Sequence, residues 1–199
     1  MAKLKKFKNK VVQNKKFNNK FYQKVVFKKD FYKSALIRTT MKFVIIALVS
    51  VSLILNWFTF VMPIVKYYGT SMSPTLEDGQ ILIVNKMSDV ESGDIIAFYY
   101  NNKVLVRRVI ASGNDQISID VFGKVFVNGD EIQENYIESK TLGQCNMNFP
   151  YNVPTDSFFV LGDNRKVSMD SRLEEIGVVS EDRLIGKVVI SLKPIRFIK

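Results

Sequence analysis

Histidine is missing from all 199 residues, and cysteine occurs once, at Cys145. Without imidazole, neither a Ser-His-Asp nor a Cys-His catalytic arrangement can be built. One cysteine forms no intramolecular disulfide, and without histidine no His/Cys zinc site is available. The carboxylates show no metal-ligand spacing, so neither a metal nor an organic cofactor is expected. Negative charge is nearly missing from the first 42 residues, which hold 14 of the 29 Lys and Arg against the single acid Asp30. That segment therefore carries +13 and the rest of the chain −3, within an overall charge of +10. Such asymmetry points to a basic tail facing an anionic partner.

Charge of either sign is absent from Phe43 to Val65, a run of 23 residues bracketed by Lys42 and Lys66. As a helix it spans roughly 35 Å, enough for the hydrocarbon core of a bilayer. Buried helices of soluble domains are seldom so long and uninterrupted. The basic lead-in and the apolar run are both too long for a cleaved signal peptide, and no small-x-small site follows. The run reads as an uncleaved anchor, which Pro63 kinks or ends. By the positive-inside rule, residues 1–42 are cytoplasmic and residues 66–199 extracytoplasmic, at the cell membrane. In the tail, Leu4, Phe7 and Val11 recur at helical spacing, as do Phe17, Phe21 and Val25. That pattern suits a basic amphipathic helix on anionic membrane lipid, with a disordered Lys/Asn-rich tail as the alternative. Beside a membrane, lipid is a simpler partner than nucleic acid.

After Leu76 the pattern changes to short apolar or alternating runs broken by Gly, Asn and Asp. Residues 80–85, 94–100, 104–111, 116–121, 124–128, 157–161 and 184–192 each read as strands. Asn128-Gly129 marks a tight hairpin. Only 173–178 suggests a helical turn. The fold class is thus mainly β: one N-terminal transmembrane helix followed by an antiparallel β domain, without internal repeats.

The octapeptide Gly69-Thr70-Ser71-Met72-Ser73-Pro74-Thr75-Leu76 directly follows the apolar run. A serine in a Gly/Pro-framed turn at a membrane surface reads as a nucleophile, and its base must be something other than histidine. Three further segments follow in order. They are Gly93-Asp94-Ile95-Ile96-Ala97-Phe98, then Val106-Arg107-Arg108-Val109-Ile110 running to Asp115, then residues 162–172 (GDNRKVSMDSR). Together, behind an anchor, these four boxes resemble type I signal peptidases, membrane-bound Ser-Lys endopeptidases that remove signal peptides from exported proteins. The likeness covers Phe43 to the C-terminus.

The resemblance implies that Ser71 attacks the scissile carbonyl and that its N–H contributes to the oxyanion hole. Gly69 stands where some relatives carry a second hydroxyl donor, and Met72 is expected to line the substrate cleft. Asp163, Arg165, Asp170 and Arg172 are expected in ion pairs that brace the site, and Ser168 resembles the hydroxyl that orients the general base. Lys166 and Glu174 suit a charged surface.

One position departs from the pattern. Relatives have Lys where this chain has Arg107, followed by an Arg matching Arg108. Desolvation can bring a lysine towards neutrality so that it accepts the serine proton. Arginine, which stays protonated far above neutral pH, needs a shift of about six units, roughly 8 kcal/mol, to do the same. Lys103 is about 13 Å away along the strand, which leaves Lys166 as the candidate substitute. Three readings follow. The chain is an active signal peptidase acting on signal-peptide-bearing preproteins, favoured by Ser71, Ser168, Asp170 and Arg172. Or it is a catalytically impaired relative that binds exported proteins and assists surface-protein or pilus assembly, favoured by Arg107. Or it is an anchored interaction protein acting through its tail, which leaves the four boxes unexplained.

Overall fold

The computed structural model describes residues 2–192 and 194–198, with the side chains of the first 35 residues described only in part. The chain divides into two units, residues 1–56 and 57–199.

The first unit is helical. The helix α1 runs Ala2–Val61, so the basic tail and the apolar run form one continuous helix. Within it Leu36–Val61 has a mean hydropathy of 2.4 and is long and apolar enough to cross a membrane. Its apolar side chains are exposed throughout, Phe43 and Trp57 among them. Apart from Leu4, the residues of the tail's expected apolar stripe lie outside the described side chains.

Helix α1 ends four residues before the uncharged run does. Pro63 has no N–H to donate and disfavours helix in the residue before it, so the last helical bond is Met62 N–H to Phe58 C=O, 2.8 Å. The run's last residues begin a strand instead, β1 (Ile64–Lys66). The last residues of the expected span 43–65 thus lie outside the helix.

Eleven more strands follow: β2 (Ile81–Asn85), β3 (Ile95–Tyr100), β4 (Lys103–Ser112), β5 (Gln116–Ile119), β6 (Val125–Val127), β7 (Asp130–Glu131), β8 (Tyr151–Asn152), β9 (Ser157–Leu161), β10 (Val179–Ser180), β11 (Leu184–Leu192) and β12 (Ile195–Phe197). The larger sheet has the order β1-β2-β11-β3-β4-β9-β10, with β12 on β11; the smaller is β7-β6-β5-β8. Every pairing is antiparallel. At the β6–β7 hairpin both turn residues have positive φ, 53° at Asn128 and 93° at Gly129, as the Asn-Gly signal requires.

Three apolar clusters hold these strands. One lies around Tyr67, Met72, Leu76, Val84, Ile95 and Val106, under the loop between β1 and β2. A second packs the small sheet on Phe159 and Leu161, and a third joins Phe98, Val109 and Val160. Both faces of the central strands are covered: the apolar run Ile95–Phe98 and the segment Val106–Ala111, which carries Arg107 and Arg108, are buried residue after residue. The segment 173–178 is a turn, closed by Gly177 N–H to Leu173 C=O at 2.9 Å. The one short helix here, Glu181–Arg183, comes just after it.

Candidate active site

Ser71 sits in the loop that joins β1 to β2. The base of that loop is pinned by two backbone bonds, Tyr67 N–H to Gln80 C=O (2.8 Å) and Gly79 N–H to Tyr67 C=O (3.0 Å). Gly69, at φ +96°, donates its N–H to Asp78 Oδ1 at 2.6 Å. Ser73 N–H to Thr70 C=O and Leu76 N–H to Met72 C=O then wind the chain through tight turns about the serine. The turn is also held from outside. Asn164 donates its N–H to Ser71 C=O (3.0 Å) and its Nδ2 to Thr70 C=O (3.3 Å). No backbone or side-chain partner takes the Ser71 N–H among the described residues, so it is open to an oxyanion.

Gly162 explains why the fourth box begins with glycine. A Cβ there would run into the side chain of Ser168 and lie 2.6 Å from Ser71 C=O. The backbone of this loop thus approaches the nucleophile turn more closely than any side chain permits.

Buried ion pairs brace the loop. Arg108 grips Asp163 with two bonds, Nε to Oδ1 at 2.8 Å and Nη2 to Oδ2 at 2.6 Å. Its Nη1 donates to Gly93 C=O, and Thr75 Oγ1 donates to Asp163 Oδ2. Members of all four boxes are joined by this one cation–carboxylate pair. The Tyr136 ring lies 4.0 Å from the Arg108 guanidinium carbon. Arg172 pairs with Asp170 at 2.8 Å through Nε and again through Nη2, while Asp170 Oδ2 also accepts the Gly162 N–H. The same guanidinium donates to Leu142 C=O and Arg165 C=O, which ties the small sheet's connection to the site. Arg165 pairs with Glu134, an acid the motif reading did not single out. Glu134 also accepts the Tyr136 hydroxyl at 2.9 Å. Burial, then the Glu134 charge, pushes the Tyr136 phenol far above its ordinary range. No local signal marked Glu134, because it reaches Arg165 from a loop 31 residues away.

Arg107 has a different environment. It is only 4% exposed, with Nε on Met169 C=O (2.9 Å) and Nη1 on Val106 C=O (2.6 Å). Among the described residues no carboxylate lies within ion-pair distance of it. The nearby carboxylate, Asp170, is engaged by Arg172 on both oxygens. Burial pushes the Arg107 guanidinium below its ordinary range, and the charges of Asp170 and Tyr67 push it back up. Ser168, whose hydroxyl the family likeness sets beside the base, has a buried Oγ with no hydrogen-bond partner among the described residues. The guanidinium instead meets the carbonyl of the next residue, Met169.

Two expected positions differ in the structure. Met72 does not present its side chain to a cleft: it is fully buried in the core beneath the turn. A thioether on the hydrophobic side of the turn gains more by filling that core than by facing water. Lys166 is exposed beside exposed Val167.

Tyr67 was overlooked in the sequence. Its side chain is 3% exposed, and its hydroxyl is 3.2 Å from Ser71 Oγ and accepts the Met72 N–H at 2.9 Å. Its four-residue spacing before Ser71 means little without knowing that the loop folds back over the ring.

A serine with a free N–H, held in a braced turn on a β scaffold that follows an apolar helix, defines a serine peptidase that works without histidine. The chain belongs to the signal peptidase family, peptidase S26, whose family model matches residues 37–193. It is similar to a "Signal peptidase I" of Leptolyngbya laminosa, 36% identical over 160 residues, covering 73% of this chain and 76% of the relative. A "Signal peptidase I" of Bacillus amyloliquefaciens is 35% identical, covering 73% and 79%. "Signal peptidase I T" of Bacillus subtilis (strain 168) is 34% identical at the same coverages, 73% and 79%.

Proposed function

We propose that this protein is a signal peptidase I, a serine endopeptidase that removes signal peptides from exported preproteins at the outer face of the cell membrane. The observation that carries the reading is the nucleophile turn itself. Ser71 has its N–H free, and its carbonyl is clamped by Asn164 of a loop in which Gly162 leaves no space for a side chain.

In the proposed reaction Ser71 Oγ attacks the carbonyl before the cut and forms an acyl-enzyme as the mature chain leaves. The Ser71 N–H donates to the oxyanion, with water taking the place of the hydroxyl that Gly69 lacks. Water then hydrolyses the ester. Asp163–Arg108, Asp170–Arg172 and Glu134–Arg165 hold the frame without touching substrate.

The placement in the membrane is part of the same proposal. The uncharged part of α1 anchors the domain, residues 1–42 stay cytoplasmic on anionic lipid, and the β domain faces outward.

The test is cleavage of a preprotein with alanine before the cut, using the full chain in vesicles. Cleavage by the wild type and none by Ser71→Ala is the expected result. Absence of cleavage by wild type with cleavage gained by Arg107→Lys would show the natural chain to be catalytically impaired.

A further inference from the structure

Arg107 cannot take a proton from Ser71, and both lysines considered as substitutes fail: Lys166 is exposed, and Lys103 stands at the exposed start of β4. The group that does touch the nucleophile is a phenol. Tyr67 Oη lies 3.2 Å from Ser71 Oγ, is buried, and is held in place by the Met72 N–H at 2.9 Å. We propose that Tyr67 is a catalytic residue of this protein, passing the Ser71 proton to the leaving amine while the Arg107 cation stabilises charge developing on its oxygen.

The hydroxyl has the right inventory for that task. A phenol oxygen donates one proton and can accept on its lone pairs. The Met72 N–H occupies one lone pair, which leaves another for the serine proton and the O–H for the departing nitrogen. In acylation the Ser71 Oγ–C bond forms and the C–N bond breaks. The serine proton moves to Tyr67 as the Tyr67 proton moves to the amine, so Tyr67 ends as it began. In deacylation a water proton moves to Tyr67 and the Tyr67 proton returns to Ser71 Oγ. No metal, oxidant or further base is consumed. The 3.2 Å separation lies within hydrogen-bond reach for proton transfer.

Arg107 gains a role from the same geometry. It is a buried cation without a carboxylate of its own among the described residues, held on two carbonyls. A fixed positive charge lowers the barrier to negative charge that develops only in the transition state, without itself giving up a proton.

This inference rests on the peptidase reading, and the experiment separates the two. Preprotein cleavage is measured with the full chain in vesicles for wild type, Ser71→Ala, Tyr67→Phe, and Tyr67→Phe combined with Arg107→Lys. Tyr67→Phe is expected to lower kcat by about 10²–10⁴-fold, the range for general acid–base catalysis, with KM and melting temperature little changed. Adding Arg107→Lys to Tyr67→Phe is expected to restore cleavage, because a desolvated lysine can take the proton itself. Wild-type rates in Tyr67→Phe would overturn the Tyr67 role and leave the peptidase reading intact. Failure of Arg107→Lys to restore cleavage would also overturn it, since the phenol would then be needed for packing rather than proton transfer. Cleavage that does not depend on Ser71 removes the peptidase reading, and the relay falls with it.

Discussion

Gly162 and the buried carboxylates set the tolerance of the site to single substitutions. In Gly162→Ala the new methyl meets the Ser168 side chain and the Ser71 carbonyl, both fixed by neighbours. Overpacking of this kind costs about 1–3 kcal/mol. Because the strain falls on the nucleophile turn, preprotein cleavage should drop more than the melting temperature does. Asp170→Ala is expected to be worse for stability. It leaves Arg172, 1% exposed, without its carboxylate, a loss of about 3–5 kcal/mol that denaturant unfolding would read. Glu131→Gln provides the contrast, for the Glu131 pairs with Lys124 and Lys140 are exposed and its removal should leave the melting temperature almost unchanged. At this scale the sequence singled out Ser71 as the candidate nucleophile, through a motif local to one turn. It did not disclose Tyr67 or Glu134, because their meaning depends on where a loop carries them. Met72 was misplaced for a related reason. Adjacent residues of a tight turn point in different directions, and motif membership does not say which one faces the core.

Among the elements, the turn between β4 and β5 is the one whose stability should depend most clearly on pH. Asp115 closes it by accepting the Ser112 N–H (2.9 Å) and the Asn128 Nδ2 (2.8 Å), which also ties it to the β6–β7 hairpin. Burial alone would raise its carboxyl, but the Ser112 and Asn128 bonds outweigh it and hold the group below its ordinary range. A carboxylate with a depressed folded-state pKa stabilises fully above its unfolded value of about 3.9, and that contribution fades as pH falls through the folded value. Asp115→Asn should therefore be less stable than wild type at neutral pH, with the difference shrinking below about pH 4 in acid titrations of unfolding. The longer strands were legible because five or more apolar or alternating residues make a period. Strands β7, β8 and β10, of two residues each, are too short to show one. Strand β1 was hidden inside the apolar run, where composition alone cannot tell the end of an anchor from the first strand of a sheet.

Across the whole molecule, charge and hydropathy divide the chain more sharply than secondary structure does, for α1 runs through tail and anchor alike. Hydropathy marked the anchor, and only Pro63 and the sheet beyond it settled where the helix stops. Charge supports the proposed orientation. Six basic residues, Lys24, Lys28, Lys29, Lys33, Arg38 and Lys42, lie within twenty residues before the uncharged run, against Lys66 and Lys86 as the first two after it. Basic residues so close to a span are those that decide which end stays in the cytoplasm. Replacing those six by glutamine should leave the segment inserted, since its apolar length is unchanged, but remove the bias between its two ends. The measurement is protease accessibility on intact cells stripped of their wall. The wild-type β domain should be digested from outside, whereas a substantial fraction of the six-glutamine variant should be protected. The protected fraction should also fail to process exported preproteins, because Ser71 would then lie on the wrong side of the bilayer. If all of the variant remains digestible, the orientation must be set by folding of the β domain after translocation rather than by the tail's charge.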